Sequence, residues 1–275
     1  MFQADSFFRI GSTHKICEDY ASHGDPGLPF AIISDGCSGS PDTDIGARLL
    51  TLSCKKLISS DDFNEIQPLD YFDFGNKVIS DALITAKQLE INQLSLDATL
   101  IVAYLSKEKS EFKINIYGDG TVTWADKDNV INHLVIEYPS GYPRYLNYLS
   151  SEIRNKQFID ISKNSGIKTH LYKNNELISC VTSDISEPTS LTLSIDNLAW
   201  LLLSSDGIET FSNTENGSLM NKSDLVTAIS SFKNFNGEFI KRRFFKMIKT
   251  FEKNGFTHGD DLSVAGIAIT EEISE

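Results

Sequence analysis

Apolar residues along this chain fall into two rhythms. Short runs rich in β-branched side chains read as strands at Phe30–Ser34, Thr99–Leu105, Phe112–Tyr117, Val130–Tyr138, Leu198–Ser204 and Leu262–Ile269. Phe112, Ile114 and Ile116 alternate with Lys113 and Asn115, which predicts a strand covered on one face. Leu198–Leu203 and Thr99–Tyr104 are apolar almost throughout, as expected of strands covered on both. The second rhythm is helical. Asp42 or Thr43 stands where it would cap a helix carrying Ile45, Leu49 and Leu52 on one face. From about Lys77 to Leu94, Ile79, Leu83 and Ala86 recur at helical spacing. After Gly237, Ile240, Phe244, Met247, Ile248 and Phe251 make one stripe with Lys241, Arg242 and Arg243 opposite; Ser223 is placed to cap a shorter helix ending at Phe232. Helices come consecutively, and strands then follow strands across short turns. That order predicts an α+β fold with antiparallel sheets rather than strict βαβ alternation.

Residues 139–188 break both rhythms. Pro139, Gly141, Pro143 and Pro188 punctuate a stretch rich in Ser and Asn. Strand-like sequence resumes afterwards and the chain ends on a core strand. The stretch is therefore expected to be an irregular insertion within a single domain spanning 1–275.

Charge and composition then narrow the classes. With 25 basic and 38 acidic residues the formal net charge is -13, which disfavours binding to a phosphate backbone, so no nucleic-acid partner is expected. No apolar run reaches bilayer length, and MFQADSFFRIG lacks a basic start followed by an apolar stretch. The expectation is a cytoplasmic protein with no membrane partner. Cys17, Cys37, Cys54 and Cys180 form no CxxC pair and no finger spacing with the histidines, so reduced packing cysteines are expected rather than a zinc site.

The informative chemistry is where the aspartates sit. Phe30–Ser34 runs into Asp35-Gly36, Leu201–Ser205 into Asp206-Gly207, and Ile114–Tyr117 into Gly118-Asp119-Gly120. Gly259-Asp260-Asp261 immediately precedes Leu262–Ile269, and Glu18-Asp19 precedes Tyr20-Ala21. One Asp-Gly after a strand is ordinary turn chemistry. Repeated at the rim of strand after strand, it brings carboxylates together if the strands share a sheet system. Such a cluster is costly unless protons or cations neutralise it. No Lys or Arg is interleaved with these pairs, which points to hard divalent cations on all-oxygen donors. No G-x-x-x-x-G-K-[ST] or G-x-G-x-x-G stretch supports a nucleotide loop, and Tyr117 stands where a haloacid-dehalogenase nucleophile would need to be.

The ordered set Cys17-Glu-Asp-Tyr20, Ser34-Asp-Gly36, Tyr117-Gly-Asp119, Leu202-Leu-Ser-Ser-Asp-Gly207 and Gly259-Asp-Asp-Leu-Ser-Val264, with Asp97-Ala-Thr-Leu100 between, resembles the metal-dependent PP2C (PPM-type) Ser/Thr protein phosphatases of bacterial type. The resemblance spans about Phe8 to Ile269. It implies a four-layer αββα sandwich, two packed antiparallel β-sheets flanked by α-helices. It also implies hydrolysis of phosphoserine and phosphothreonine by a water activated between two Mn²⁺ or Mg²⁺ ions. Carried over by motif, Asp35 would bridge the ions with the Gly36 carbonyl as a further ligand. Asp206 and Asp260 would hold one of the pair, and Asp35, Asp206 and Asp260 would form the catalytic set. Glu18 and Asp19 would complete the metal shell, Glu18 partly through water, and Asp119 with Asp206 would hold a weaker third ion. The partners implied are a phosphorylated protein substrate and, by analogy, a cognate Ser/Thr kinase.

Two positions depart from the pattern. His14, followed by Lys15, stands where the animal enzymes have a phosphate-binding Arg, so His14 and Lys15 are the candidates for the substrate phosphate. Cys37 stands where those enzymes have a His proposed as proton donor, and Asp261 where many members have Asn. The alternative is a catalytically weak or inactive regulatory domain of the same fold that binds a protein partner, with 139–188 as the contact.

Overall fold

The computed structural model describes residues 1–66 and 68–270. In chain order the strands are β1 (Phe2–Arg9), β2 (Tyr20–Asp25), β3 (Leu28–Ser34), β4 (Leu100–Leu105), β5 (Glu111–Tyr117), β6 (Gly120–Asp126), β7 (Ile131–Glu137), β8 (Ile167–Lys173), β9 (Glu176–Ser183), β10 (Ser190–Ser194), β11 (Leu198–Ser204), β12 (Phe211–Asn213), β13 (Phe256–His258) and β14 (Leu262–Ile269). The helices are α1 (Thr43–Ile58), α2 (Asp61–Ile66), α3 (Tyr71–Gln88), α4 (Glu152–Ser162), α5 (Lys222–Ser230) and α6 (Phe239–Lys253). A seven-stranded sheet runs β1-β14-β11-β6-β7-β8-β9, a five-stranded sheet β10-β5-β4-β3-β2, and β12-β13 forms a short ribbon.

Side-chain alternation assigns each strand face to a layer. Phe30, Ile32, Leu100, Val102 and Tyr104 pack beneath Leu50 of α1 and Phe74 and Val78 of α3. Their neighbours Ala31, Ile33, Ile101 and Ala103 face the other way, meeting Leu201, Leu203, Ala265 and Ile267 between the sheets. On the far side, Trp200, Leu202, Val264 and Ala268 meet Leu225 and Ile229 of α5 and Phe244, Met247 and Ile248 of α6. The result is helix, sheet, sheet, helix, with each buried Leu, Ile or Phe contributing about 1.5–3 kcal/mol.

The structure corrects several expectations. The buried face of α1 includes Gly46, Ala47, Leu49, Leu50, Cys54 and Ile58, so Leu49 is buried as predicted, whereas Ile45 and Leu52 face solvent. Asp42 sits at its start with φ 47° and makes no side-chain cap. Helix α3 begins earlier than its periodicity predicts, at Tyr71, where the Asp70 side chain accepts from the Asp73 amide, and it ends at Gln88 rather than Leu94. Asn221, not Ser223, caps α5. The 139–188 stretch is regular rather than irregular: a 3-10 turn at Leu146–Ser150 leads into α4, and β8 and β9 extend the seven-stranded sheet.

One rim of the sandwich collects the strand ends. Asp19 precedes β2 and Asp35 follows β3, both in the five-stranded sheet, while Asp206 follows β11 and Asp260 precedes β14 in the seven-stranded sheet. Asp119 lies between β5 and β6, where the chain passes from one sheet to the other. Gly118 and Gly120 make that passage at φ 109° and 131°, a region side chains avoid.

Candidate metal centre

Backbone and hydroxyl groups fix the segments that carry several of these carboxylates. The Asp35 amide donates to Thr99 Oγ1 at 3.1 Å, and the Thr99 amide returns a bond to the Asp35 carbonyl at 2.8 Å. The Gly36 amide donates to the Glu18 carbonyl at 3.2 Å, tying the Glu18-Asp19 segment beside the end of β3. A Cβ on Gly36 would meet Thr43 and the Glu18 carbonyl at 2.8–3.0 Å, so close passage of the backbone requires glycine there. Ser205 Oγ donates to Asp19 Oδ2 at 2.7 Å and itself accepts from the Ser263 amide at 3.0 Å. The Asp260 amide donates to Thr210 Oγ1 at 3.2 Å. Gly207 brings the end of β11 against the start of β14 so closely that a Cβ would fall 1.7 Å from the Asp261 carbonyl oxygen.

The electrostatics follow from this crowding. Burial pushes Asp19 up to about 7, against the lowering contacts of Ser205, Ser263 and Asp35. Burial, then the charges of Asp19, Asp206, Asp119 and Asp260, hold Asp35 well above the usual carboxylate range. Asp119 is pushed up to about 7 by burial and by Asp206. Surrounding protein and the Asp260 charge raise Asp206, although its side chain keeps an open face to solvent. Among the described residues no Lys or Arg forms an ion pair with Asp19, Asp35, Asp119, Asp206 or Asp260. Without cations, then, the cluster holds on to protons.

The donors fit a hard divalent cation. They are carboxylate oxygens with the Gly36 carbonyl beside them, and Asp19 Oδ1 is buried with no hydrogen-bond partner. Leaving an oxygen so placed unpaired is costly, and a hard divalent cation would satisfy it.

The remaining predicted residues lie on the adjoining wall. Glu18 Oε2 accepts from Ser38 Oγ at 2.7 Å. His14 is not turned to solvent: its Nε2 is 3.3 Å from Asp260 Oδ1 and its Nδ1 is 3.1 Å from Asp261 Oδ2. Burial lowers the His14 pKa, but Asp261, Asp260 and Glu18 outweigh it and the net shift is upward. Lys15 beside it is exposed. Asp261 is buried, and its carboxylate accepts from the Gly11 amide at 2.7 Å and from the Glu18 amide. It thus anchors the β1–β2 loop.

Some of the site is absent from the sequence reading. Asp97 is buried and holds Arg154 of α4 at 2.6 Å and Asn147 at 2.7 Å, while its carbonyl accepts from the Cys37 amide at 2.9 Å. This network fastens the 139–188 stretch to the loop that follows Asp35. Tyr145, from the same stretch, contacts the Cys37 side chain; burial and Cys37, then Asp119 and Asp35, suppress ionisation of its hydroxyl. The motif around Asp97 was visible, but Arg154 and Tyr145 belong to a polar stretch with no periodicity to single them out.

The family profile for protein phosphatase 2C matches residues 12–259. No curated protein matches the chain by sequence. Among solved structures, a bacterial serine phosphatase superposes with a TM-score of 0.59 at 13% identity, covering 99% of each chain. The serine/threonine phosphatase PstP/Ppp of Mycobacterium tuberculosis gives 0.56 at 14% identity, over 98% of this chain and 99% of that one. Stp1 of Staphylococcus aureus gives 0.60 at 14% identity, over 98% and 96%. At these identities the structural likeness is one of fold.

Proposed function

The chain belongs to the protein phosphatase 2C family, and on that premise we propose that it hydrolyses phosphoserine and phosphothreonine in proteins with two Mn²⁺ or Mg²⁺ ions. Asp35 and the Gly36 carbonyl, Asp206 and Asp260, with Glu18 and Asp19, are the proposed ligands, and Asp119 with Asp206 would take a third, weaker ion. What supports this most is the convergence of acidic strand ends from both sheets with no Lys or Arg among the described residues paired to them. Bound there, the cations supply a nucleophilic water at neutral pH and neutralise the phosphoryl oxygens.

The protein's own part is positioning. Asp19 and Asp35 must give up protons to bind a cation, so metal uptake is linked to proton release. Ser205 holds the Asp19 carboxylate and Thr99 the Asp35 backbone, which limits the reorganisation that accompanies the change. Water oxygen bonds to phosphorus as the ester oxygen departs, and the departing alkoxide takes a proton to become the Ser or Thr hydroxyl. Exposed Lys15 and, beside it, His14 are the proposed contacts for the incoming phosphate at the rim. A groove of about 370 Å³ lined by Asp119, Thr121, Glu137, Tyr138, Lys168 and Asp206 opens next to the cluster and offers room for residues flanking the phosphorylated one. A Ser/Thr kinase that writes the same phosphates is the proposed counterpart.

The test is hydrolysis of a phosphothreonine peptide by the purified protein, with Mn²⁺ and with excess chelator, alongside Asp35→Asn. Mn²⁺-dependent turnover that falls by at least a hundredfold in Asp35→Asn is expected. A folded protein that binds Mn²⁺ but turns over no peptide would overturn the enzymatic reading in favour of a partner-binding domain.

A further inference from the structure

We infer that the outer face of α6, with the groove at its N-terminal end, docks a short acidic segment of a partner protein that carries one aromatic side chain among its carboxylates. Arg242, Lys246, Lys249 and Lys253 recur every three or four residues and so stand in one exposed row. The helix holds six basic residues against one acid, in a chain whose formal net charge is -13. That acid, Glu252, is taken by Arg9 at 2.8 Å, and Glu238, just before the helix, is taken by Lys241 at 2.8 Å. Among the described residues no carboxylate forms an ion pair with Lys233, Arg242, Lys246, Lys249 or Lys253.

The row works against the helix that carries it. Like charges three and four residues apart repel, and while the helix dipole welcomes Lys253 in the last turn it opposes Lys241 and Arg242 in the first. An anion laid along the row relieves both. Apolar contacts accompany the charge. Phe245 is 43% exposed within the row, its ring 5.2 Å from that of Phe7. At its N-terminal end the row borders a groove of about 520 Å³ lined by Phe232, Lys233, Phe239, Arg242, Arg243 and Lys246. Phe232 and Phe239 pack edge to face at 5.6 Å, and Arg243 is fastened to the Ala228 carbonyl, so aromatic floor and cationic wall are in place before a partner arrives. From Arg242 to Lys253 the row is about 16 Å long, the span of about five residues of extended peptide. A segment that short meets the row alone, whereas a membrane face or a nucleic acid extends past it on to net negative protein. The surface shares no residue with the carboxylate centre, and the inference does not depend on the chain being a phosphatase.

Fluorescence anisotropy with a labelled peptide of glutamates around a central phenylalanine tests it without reference to activity. Saturable binding at low ionic strength is expected, weakened at least tenfold in Lys246→Glu/Lys249→Glu and at least threefold when the peptide's phenylalanine is replaced by alanine. Both lysines are exposed, circular dichroism checks the fold, and Lys246→Gln/Lys249→Gln serves if the charge reversal does not fold. No saturable binding by the folded wild type, equal binding by the double variant, or equal binding of the alanine peptide would overturn the inference. Tighter binding to phosphatidylserine vesicles or single-stranded DNA than to the peptide would overturn it too, by giving the row to another polyanion. So would a dimer in light scattering that the double variant dissolves, which would give the row to a second copy of the chain.

Discussion

Replacing Asp119 with Asn should make the metal-free protein more stable at pH 8. Asp119 titrates near 7 in the fold, because burial and Asp206 oppose its charge, against an ordinary value of 3.8. The folded state therefore binds this proton more tightly than the unfolded chain does, and ionisation favours unfolding. Below about pH 4 the group is protonated in both states and contributes nothing. Between about pH 4 and 7 the penalty grows by about 1.4 kcal/mol per pH unit, and above pH 7 it levels off near 4 kcal/mol. Water access and relaxation of Asp206 reduce this, so a gain of about 2–4 kcal/mol is expected for Asp119→Asn at pH 8. Urea unfolding with chelator at pH 4, 6 and 8 measures it. The difference between variant and wild type should be near zero at pH 4 and largest at pH 8. With saturating Mn²⁺ the wild type regains ground, because the ion binds only the folded state. A stability difference independent of pH, or a loss at pH 8, would refute the argument and make the effect one of packing.

Other outcomes follow from contacts already described. Gly207→Ala would drive a Cβ to 1.7 Å from the Asp261 carbonyl oxygen, so thermal melting should show a loss of about 3 kcal/mol or more, or no folded protein. Gly141→Ala, with nothing within 4 Å and φ +74°, should cost only about 1 kcal/mol. Arg154→Ala strips the buried Asp97 carboxylate of its charge partner and should lower stability by about 2–3 kcal/mol in urea unfolding, with Arg154→Lys recovering only part because the planar guanidinium over the Tyr148 ring is lost. Equal stability of Arg154→Ala and wild type would show that Asn147 alone satisfies Asp97.

The parts of the fold that were legible are those where hydrophobicity and burial coincide. Strands β11 and β14 match their predicted limits because both faces are covered by large side chains. The α6 stripe was equally plain. Helix α1 misled because its buried face turns on small residues set among Leu49, Leu50 and Ile58: Gly46 lies against the Ser95 carbonyl, where a Cβ would be 1.5 Å away, while Ile45 and Leu52 are exposed. Close packing, not apolar size, chose that face. Strand β9 has Leu177, Ile178 and Val181 in solvent, so no alternation marked it. The metal candidates were readable because Asp recurs beside strand ends, whereas Ser205 and Thr99 reach Asp19 and Asp35 across long separations that no local spacing encodes. Motif position singled out His14, but its engagement by Asp260 and Asp261 depends on the meeting of two distant loops.

The passage from β5 to β6 through Gly118-Asp119-Gly120 carries the chain between the sheets at the same rim where both sheets contribute carboxylates. The cluster is therefore a vernier: its spacing reports how one sheet lies over the other. A slip of the stack by a fraction of an ångström changes every distance between Asp35 on one side and Asp206 or Asp260 on the other. Residues such as Ile114 and Leu203, buried between the sheets and making no contact with any ion, thereby set the gauge of the centre. Emptying that layer by one side chain would detune the centre from within, without touching a single donor.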